Sequence, residues 1–325
     1  MRNFSYVLPE SIEQAQRAAL EKGAVIKAGG IDLLDLMKGD VLQPQKLINL
    51  LTVKGPTLRE IRRQDDGLHI GALVTLADLA AFTDAPDVLT HASGSAATPQ
   101  IRNVATVGGN IAQRPRCWYF RSATFPCARK GGNTCYSQKG ENKYHALFDN
   151  GDCAVVHASS LAGPLVALDA TVVTTQRRIP IEKFFVPTTV DITKEHILTD
   201  GEIITEIFVP AATRTWKSAF REAGERDSSD WSLVNAAVTM EMNGATVKSA
   251  RVVLGAVAAV PYRVLAAEAA LAGKPITEAN ALKAAEAAFA KAHPMQENGY
   301  KVPLGKAILK RAILAAAGQR EIAGG

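Results

Sequence analysis

The first 55 residues alternate between a helical and a strand-like spacing of apolar side chains. Periodicity and turn chemistry together mark where each element begins and ends. The predicted elements are a helix from the capping pattern at 11–14, a strand over 24–28, a turn at Gly29-Gly30, a helix over 31–38 and a strand over 46–50. The pattern therefore predicts a strand–helix–strand unit at the start of the chain.

The middle of the chain carries shorter and more varied apolar runs, apart from one segment with none. The predicted elements are a hairpin of 58–63 and 68–72 around Asp66-Gly67, a helix from Thr75 to about 82, a Ser/Ala-rich helix at 89–97, and strands over 165–168, 170–175, 180–185 and 202–209. Residues 112–153 show no sustained period, and so long an irregular segment is uncommon within a domain. Something other than a hydrophobic core must order it.

The last hundred residues are rich in alanine with a helical spacing. The pattern predicts a strand over 247–255 followed by amphipathic helices over 262–271, 277–292 and 304–317. Short strands mixed with helices favour an α+β class over a doubly wound sheet. A length of 325 residues suggests two or three domains, and the change of character predicts a boundary near residue 222.

Composition changes this picture at one place only. The chain has 37 Lys plus Arg against 32 Asp plus Glu, a net charge of +5, but residues 101–145 hold eight basic residues and one acidic residue. That segment is therefore +7 and the rest of the chain −2, which gives no reason to expect nucleic acid as a partner. No apolar run reaches the roughly 18–20 residues of a membrane span, and the first residues lack a signal-peptide pattern.

Two glycine pairs are candidates for a phosphate site. Gly29-Gly30 and Gly108-Gly109 each let the backbone approach a ligand closely, with amide groups directed at negative charge. One pair alone is more simply an ordinary structural turn, whereas two pairs make a two-sided pyrophosphate cradle plausible. Neither pair is part of a GxGxxG or GxxxxGK pattern, so a dinucleotide would bind by another architecture.

The cysteines are confined to the irregular segment. Cys117, Cys127, Cys135 and Cys153 fall within 37 residues, and four thiolates in one loop can hold an iron–sulfur cluster, hold zinc, pair as disulfides or stay unliganded. Zinc pairs of the CxxC type are absent, and a chain of this size has little need of disulfides. His157 could line the same site, although a hydrogen-bonded structural histidine is the simpler interpretation. Spacing alone leaves cluster, zinc and free thiols open.

Several segments taken together resemble a known family. Residues 28–38 and 105–112 resemble the two FAD-binding signatures of the medium subunit of the molybdenum hydroxylases, the family of xanthine dehydrogenase, carbon monoxide dehydrogenase and aldehyde oxidoreductase. Further similarities lie at 100–103, 230–231, 254–263 and 267–268. The resemblance implies an α+β fold, with a two-lobed FAD-binding domain of the PCMH (vanillyl-alcohol oxidase-like) type and a C-terminal domain of the CO dehydrogenase flavoprotein type. The implied domains are 1–222, with lobes 1–55 and 56–222, and 223–325.

The cysteine-bearing insertion narrows the resemblance. Residues 114–121, 125–127 and 140–145 are most similar to the [4Fe-4S]-containing FAD subunit of bacterial periplasmic aldehyde oxidoreductases, and a similar insertion occurs in the β subunit of 4-hydroxybenzoyl-CoA reductase. The resemblance implies that one [4Fe-4S] cluster is ligated in the loop of about 112–153. The implied ligands are Cys117, Cys127, Cys135 and Cys153.

The resemblance also carries over onto FAD residue by residue. The implied contacts are Lys27, Ala28, Gly29, Gly30, Ile31, Asp32, Leu33, Thr106, Gly108, Gly109, Asn110, Ser159 and Ser160. Ser160 stands where relatives usually have an Asp, so a hydroxyl replaces a carboxylate and adds no charge. Arg221-Glu222 stand where relatives often have a Lys, so contacts from that region are left unassigned. No catalytic residue is nominated, because the flavin carries the chemistry.

The implied function is electron transfer within an oxidoreductase complex. FAD in this chain would take electrons from a large molybdenum-cofactor subunit and a small [2Fe-2S] subunit of an aldehyde oxidoreductase, and pass them to an external acceptor. A 4-hydroxybenzoyl-CoA reductase-type subunit is the alternative enzyme, and a zinc-stabilised scaffold without flavin is the alternative outside enzymes. The expected location is the periplasm, by co-export with a signal-bearing partner, or the cytoplasm.

Overall fold

The structure, a computed structural model, describes residues 1–55 and 57–319. Pro56 and residues 320–325 lie outside the described residues. Pro56 is the first residue of the expected lobe 56–222, and residues 320–325 are the end of the expected domain 223–325. The described strands form three sheets, and helices accompany each of them, which confirms the α+β class. No helix within the described ranges is long and apolar enough to cross a membrane.

The first sheet lies within the N-terminal lobe, residues 1–55. Its elements are β1 (Ser5–Val7), α1 (Ile12–Ala19), β2 (Ala24–Lys27), α2 (Ile31–Lys38) and β3 (Lys46–Asn49). The three strands are parallel in the order β1-β3-β2, and Ser11 caps α1 by accepting from the Gln14 amide. The predicted strand–helix–strand unit is confirmed, and the turn at Gly29-Gly30 joins β2 to α2.

The second sheet is antiparallel, in the order β4-β5-β8-β6-β7. Its strands are β4 (Ile61–Gln64), β5 (Gly67–Gly71), β6 (Thr171–Thr174), β7 (Arg178–Pro180) and β8 (Ile204–Pro210). Its helices are α3 (Leu76–Ala81), α4 (Asp87–Ser95), α5 (Pro99–Arg102), α6 (Val107–Ile111), α7 (Trp118–Arg121) and α8 (Ala162–Ala167). Thr75 caps α3 in a complete capping box with Asp78.

Four expectations for this region were wrong in detail. Gly67 pairs with Gln64, so the hairpin turn is 65–66 rather than Asp66-Gly67. The apolar run 165–168 lies mostly in α8, because a short buried run suits a helix as well as a strand. Gly108-Gly109 lies inside α6 rather than in a turn. The run 180–185 is mainly a 3-10 helix following β7.

The third sheet and three helices form the C-terminal unit. Its elements are β9 (Lys217–Ala223), β10 (Val234–Asn243), β11 (Thr246–Gly255), β12 (Tyr262–Arg263), α9 (Leu265–Leu271), α10 (Glu278–Phe289) and α11 (Lys301–Ala316). The sheet is antiparallel in the order β12-β11-β10-β9. The expected boundary at residue 222 falls inside β9, and the whole of β9 pairs with β10. We propose a boundary just before Lys217, which makes residues 57–216 the second lobe.

The third sheet is covered on both faces. Ala237 of β10 packs into the core of the second lobe, whereas its neighbours Ala236 and Val238 pack into the core formed with α9, α10 and α11. Successive side chains of a strand point to opposite faces, so one sheet serves both cores. The third sheet therefore packs the C-terminal unit against the second lobe.

A backbone cradle beside a cysteine-lined cavity

A cavity of about 960 Å³ lies where the N-terminal lobe, the second lobe and the C-terminal unit meet. Its size is that of a large ligand site, at the upper end of the usual range of about 300–1,000 Å³. Both glycine pairs line it. The sequence-predicted residues on its wall are Lys27, Ala28, Gly29, Gly30, Ile31, Asp32, Leu33, Thr106, Gly108, Gly109, Asn110 and Ser160. Ser159 lies just behind the wall.

The first glycine pair brings two distant segments together. Gly30 has a φ of +80° and stands at the N-cap of α2, a conformation that a glycine adopts without strain. A Cβ on Gly29 would lie 2.1 Å from the carbonyl oxygen of Val104, which precedes the second signature. Glycine is therefore needed for this close approach, and the first amides of α2 are left on the cavity wall without partners inside the helix.

The second glycine pair lines the same cavity. Thr106 caps α6, its Oγ1 accepting from the Gly109 amide at 3.2 Å. The Gly108 amide donates to the carbonyl of Ala72 at 2.9 Å, and a Cβ on Gly108 would come within 3.1 Å of Ala72. The helix start is thus held tightly against the end of β5, with its backbone exposed to the cavity.

Asn110 and the two serines complete the polar wall. Asn110 Oδ1 accepts from Ser159 Oγ at 2.6 Å and from the Leu161 amide at 3.3 Å, so Ser159 fixes Asn110 from behind. Ser160 Oγ is buried on the wall and has no hydrogen-bond partner in the part of the chain that is described. A buried hydroxyl without a partner is costly unless a ligand supplies one. Glycine backbone, helix starts and this hydroxyl suit a large polar ligand such as FAD.

Asp32 has a different role from its neighbours in the first signature. Its carboxylate accepts from the Arg114 amide at 2.9 Å and forms ion pairs with Arg116, at 3.1 Å, and Arg121. All three partners belong to the cysteine loop, residues 112–153. The Asp32 side chain therefore connects the loop to α2, even though the residue also borders the large cavity.

The four cysteines line a second, smaller cavity of about 20 Å³. All four are free thiols, and the residues that share this cavity are mostly aromatic or apolar, with Phe120, Tyr119 and Tyr136 among them. No three His, Cys, Asp or Glu side chains within the described residues are arranged to hold a single metal ion. The four thiols do, however, match the donor set of an Fe–S cluster in number and kind.

Burial and mutual contacts shift the thiol pKa values in opposite directions. The Cys153 thiol and the Ser137 hydroxyl hydrogen-bond to Cys135 and lower its pKa to about 5, whereas the same contact raises the pKa of Cys153. Burial raises the pKa of Cys117 to about 11. The contact between Cys135 and Cys153 thus favours a thiolate at Cys135, and the thiolate is the form of cysteine that binds metals.

The two cavities share a wall. Cys117 lines both of them, and the side chain of His145 lines the large cavity with its Nε2 atom 3.3 Å from Cys117 Sγ. The His145 ring packs edge-on against Trp118 at 5.4 Å between centroids. Burial lowers the pKa of His145 to about 4, so the ring is neutral near pH 7. His145 and Trp118 were not predicted as site residues.

Ion pairs with distant carboxylates hold the cysteine loop in place. The basic residues that are paired are Arg114 and Arg129 with Glu195, Arg116 and Arg121 with Asp32 and Asp35, and Lys143 with Glu225. Arg129 is buried and also donates to the carbonyls of Ile192 and Lys194. Much of the +7 charge is therefore used to order the loop rather than left to offset an anionic cluster.

The C-terminal unit holds the other end of the loop through its backbone. Lys301 is fully buried, and its ammonium donates to the carbonyls of Tyr144, His145 and Ala256 at 3.3, 3.0 and 2.7 Å. Asn298 Nδ2 also donates to the His145 carbonyl at 3.0 Å. Burial lowers the pKa of Lys301 to about 7, while the three carbonyl acceptors favour its charged form.

His157 lines the large cavity and not the cysteine cavity, so the expectation that it could line the cysteine site was wrong. Burial lowers its pKa to about 3, and its Nδ1 accepts from the Ser159 amide at 3.2 Å. His196, Asn235 and Trp231 also border the large cavity, and sequence reasoning missed them. The sequence gives little indication that these three residues border the cavity, because each is a single polar or aromatic residue far along the chain from the glycine pairs.

Two family models match the chain along most of its length. The FAD binding domain in molybdopterin dehydrogenase matches residues 2–212, and the CO dehydrogenase flavoprotein C-terminal domain matches residues 218–316. The first match alone covers more than half of the 325 residues.

Curated relatives match over nearly the whole chain. The aldehyde oxidoreductase FAD-binding subunit PaoB of Escherichia coli (strain K12) is 34% identical, covering 98% of this chain and 100% of the relative. The carbon monoxide dehydrogenase medium chain of Hydrogenophaga pseudoflava is 29% identical, covering 96% of each chain.

Solved structures show the same architecture. A carbon monoxide dehydrogenase from Hydrogenophaga pseudoflava is 28% identical with a TM-score of 0.73, covering 98% of each chain. Quinoline 2-oxidoreductase from Pseudomonas putida 86 has a TM-score of 0.75 at 24% identity, again over 98% of each chain, and at that identity it shows the fold alone.

Proposed function

The chain belongs to the family of FAD-binding subunits of the molybdopterin dehydrogenases, and from this premise we propose that it is the electron-transfer subunit of a molybdenum-containing aldehyde oxidoreductase complex. Family members are oxidoreductase subunits that work in complexes, and a match of 34% over the full length of an aldehyde oxidoreductase subunit supports the choice of aldehydes as substrates. The single observation that carries the proposal is that Cys117 lines both the cavity bordered by the two glycine pairs, called here the glycine cradle, and the small cavity bordered by the four free thiols.

FAD is proposed to occupy the large cavity. The turn at Gly29-Gly30 and the first amides of α2 are proposed to meet the pyrophosphate, because those amides have no partner inside the helix. The Gly108 and Gly109 amides already bond to Ala72 and Thr106, so the start of α6 would line the site without donating from these two groups. Ser160 Oγ is proposed to bond to the flavin, since this atom is buried without a partner among the described residues. When bound, FAD supplies the exchange between single electrons and electron pairs that an external acceptor requires.

A [4Fe-4S] cluster is proposed in the cysteine loop. Cys117, Cys127, Cys135 and Cys153 would hold it, because their thiols surround one enclosed space and none is used in a disulfide. Zinc is the less suitable occupant, since the spacing lacks the close pairs of structural zinc sites. The aromatic side chains around the thiols would exclude water, which helps to set the potential of a cluster.

The partners are proposed from the shortage of ligands in this chain. Four cysteines serve one cluster, so a large molybdenum-cofactor subunit and a small [2Fe-2S] subunit would supply the remaining centres. Electrons would reach FAD from them and leave to an external acceptor. The complex is proposed to act in the periplasm after co-export with a signal-bearing partner, and its recovery only from the cytoplasmic fraction would exclude that location.

Purification of the co-expressed complex tests the proposal. We expect one FAD per copy of this chain and about four irons beyond those of the [2Fe-2S] subunit, with oxidation of aromatic aldehydes in the presence of an acceptor dye. Cys127→Ser is expected to lose iron and retain FAD, whereas Asn133→Ser, an exposed change in the same loop, is expected to lose neither. A folded complex with one zinc and no flavin would overturn the proposal in favour of a scaffold. Reduction of 4-hydroxybenzoyl-CoA without aldehyde oxidation would replace it with the reductase alternative.

A further inference from the structure

The wall between the two cavities contains one polar side chain that contacts a thiol of the small cavity and also borders the large one. His145 is only 3% exposed, and its Nε2 atom lies 3.3 Å from Cys117 Sγ. Its Nδ1 atom is also buried and has no hydrogen-bond partner within the described ranges. One nitrogen of the ring, Nε2, therefore contacts the Cys117 sulfur, and the other, Nδ1, has no partner among the described residues.

The ring is held in this position from two directions. Trp118 packs edge-on against it at 5.4 Å, and Tyr119 lies 6.3 Å away on the side of the small cavity. The backbone carbonyl of His145 accepts from Asn298 and Lys301 of the C-terminal unit. Contacts with the ring and with the backbone of His145 thus both fix its position relative to Cys117.

A histidine that only fills space would not need this arrangement. A buried ring nitrogen without a partner costs free energy, and an apolar ring of the same size would avoid the cost. A thiolate that ligates iron, by contrast, gains from a donor, because a hydrogen bond to a ligand sulfur stabilises the added negative charge of the reduced cluster.

We propose that His145 is a positioning residue of the electron-transfer site, whose Nε2–H donates a hydrogen bond to the cluster-ligating Sγ of Cys117 and so raises the reduction potential of the cluster on the side that faces FAD. This inference rests on the proposed function, because it requires a cluster in the cysteine loop. The unpartnered Nδ1 fits the same assignment, since a proton on Nε2 has Cys117 Sγ as its acceptor, whereas a proton on Nδ1 would have no acceptor among the described residues.

The test compares three substitutions in the purified complex. His145→Phe removes the donor and keeps the ring volume, His145→Gln keeps an amide donor near the Nε2 position, and His145→Asn carries the same amide on a shorter side chain. The readouts are the iron content, the EPR spectrum of the reduced cluster and its midpoint potential. His196→Gln is the matched control, because His196 lines the large cavity with an unpartnered buried Nδ1 of its own and contacts no cysteine in the described structure.

We expect His145→Phe to shift the midpoint potential of the cluster to a more negative value and to change its EPR g-values, with iron retained. His145→Gln should restore most of the potential, His145→Asn should not, and His196→Gln should leave the cluster unchanged. If His145→Phe loses iron, the comparison of His145→Gln with His145→Asn replaces it as the test. Equal midpoint potentials of the cluster in these two variants overturn the inference.

The two possible failures are distinguishable. A wild-type complex whose iron is fully accounted for by the [2Fe-2S] subunit overturns the proposed cluster and this inference with it. The other failure is a wild-type complex that contains the cluster and His145 variants that all have the same midpoint potential and EPR spectrum as the wild type. This result overturns only the inference about His145.

Discussion

The glycine cradle and the cysteine loop are neighbours that are ordered by opposite means. The cradle is made of backbone at the starts of α2 and α6, and the close approach at Gly29 and Gly108 leaves little room for adjustment. The loop has short helices only and is held by side chains from all three parts of the chain. A site of backbone amides can be encoded locally, whereas a site of cysteine ligands needs support from outside.

Substitutions should therefore damage the two sites in different ways. A change in the cradle acts through steric collision, and its effect stays near the flavin. A change in a supporting residue leaves buried charges or carbonyls without partners, and its effect reaches cysteines that it does not touch. The following variants test this difference, beginning with the largest expected effect.

Lys301→Met should release the cysteine loop. The substitution removes a buried donor from three backbone carbonyls, and with about two of them left unsatisfied the expected cost is about 4 kcal/mol. We expect faster proteolytic cleavage within 112–153 and loss of iron, with FAD largely retained. Lys310→Met, which breaks an ion pair with Glu278 on the surface, should change neither. Loss of both FAD and iron from Lys301→Met would contradict the view that the cradle and the cysteine loop are held independently.

Gly29→Ala should damage the cradle and spare the loop. The added Cβ would lie 2.1 Å from the Val104 carbonyl oxygen, and the strain is expected to cost about 2 kcal/mol and to lower FAD content sharply. Gly151→Ala in the cysteine loop is the control, because a Cβ there meets no described atom within 4 Å. FAD and iron content of the two complexes provide the measurement. Full FAD occupancy in Gly29→Ala would show that the close approach is dispensable.

Low pH should destabilise the folded protein at Glu202, which lines the large cavity. Arg177, Thr174 and the Thr199 amide donate to this buried carboxylate, and despite its burial they lower its pKa from 4.5 to about 2. The unfolded chain therefore binds more protons between these values, so stability falls as the pH falls. The expected loss is about 1 kcal/mol between pH 7 and pH 4, with more below.

The temperature of flavin release, followed by fluorescence at several pH values, measures this effect. Glu202→Gln should be less stable at pH 7 and should show a flatter dependence on pH. An unchanged slope in Glu202→Gln would assign the acid sensitivity to other groups.

Ser160→Ala should have the smallest effect. The hydroxyl has no partner among the described residues, so its removal should leave the stability of the flavin-free protein unchanged and weaken FAD binding by about 1 kcal/mol, which is roughly fivefold. Titration of the FAD-depleted complex with FAD measures the change. Identical affinities would show that Ser160 does not contact the flavin.

The sequence could predict the half of the cradle formed by Gly29-Gly30 and α2, because its signals are local, whereas α6 around Gly108-Gly109 was expected as a turn. The helix of 31–38 and the strand before it follow from spacing and from the turn at Gly29-Gly30, and the structure has the helix with those bounds. By contrast, β10 was not predicted, because residues 234–240 are all buried and a strand covered on both faces shows no alternation.

The support of the cysteine loop could not be predicted for another reason. Lys301 and Asn298 contact His145 across more than 150 residues, and neither lies in a recognisable motif. A lone lysine near the start of an amphipathic helix is typical of a solvated face. Only the approach of α11 to the loop turns Lys301 into a fully buried donor.

The long reach of these supports has a consequence for biosynthesis. Asn298 leaves the ribosome 153 residues after His145, and Lys301 follows it. At roughly 5–20 residues per second, the cysteines emerge on the order of ten to thirty seconds before the residues that hold their loop. The contacts that hold the cysteine loop can therefore form only after residue 301 has been made, and we expect metal insertion to follow synthesis of this segment rather than to accompany synthesis of the loop.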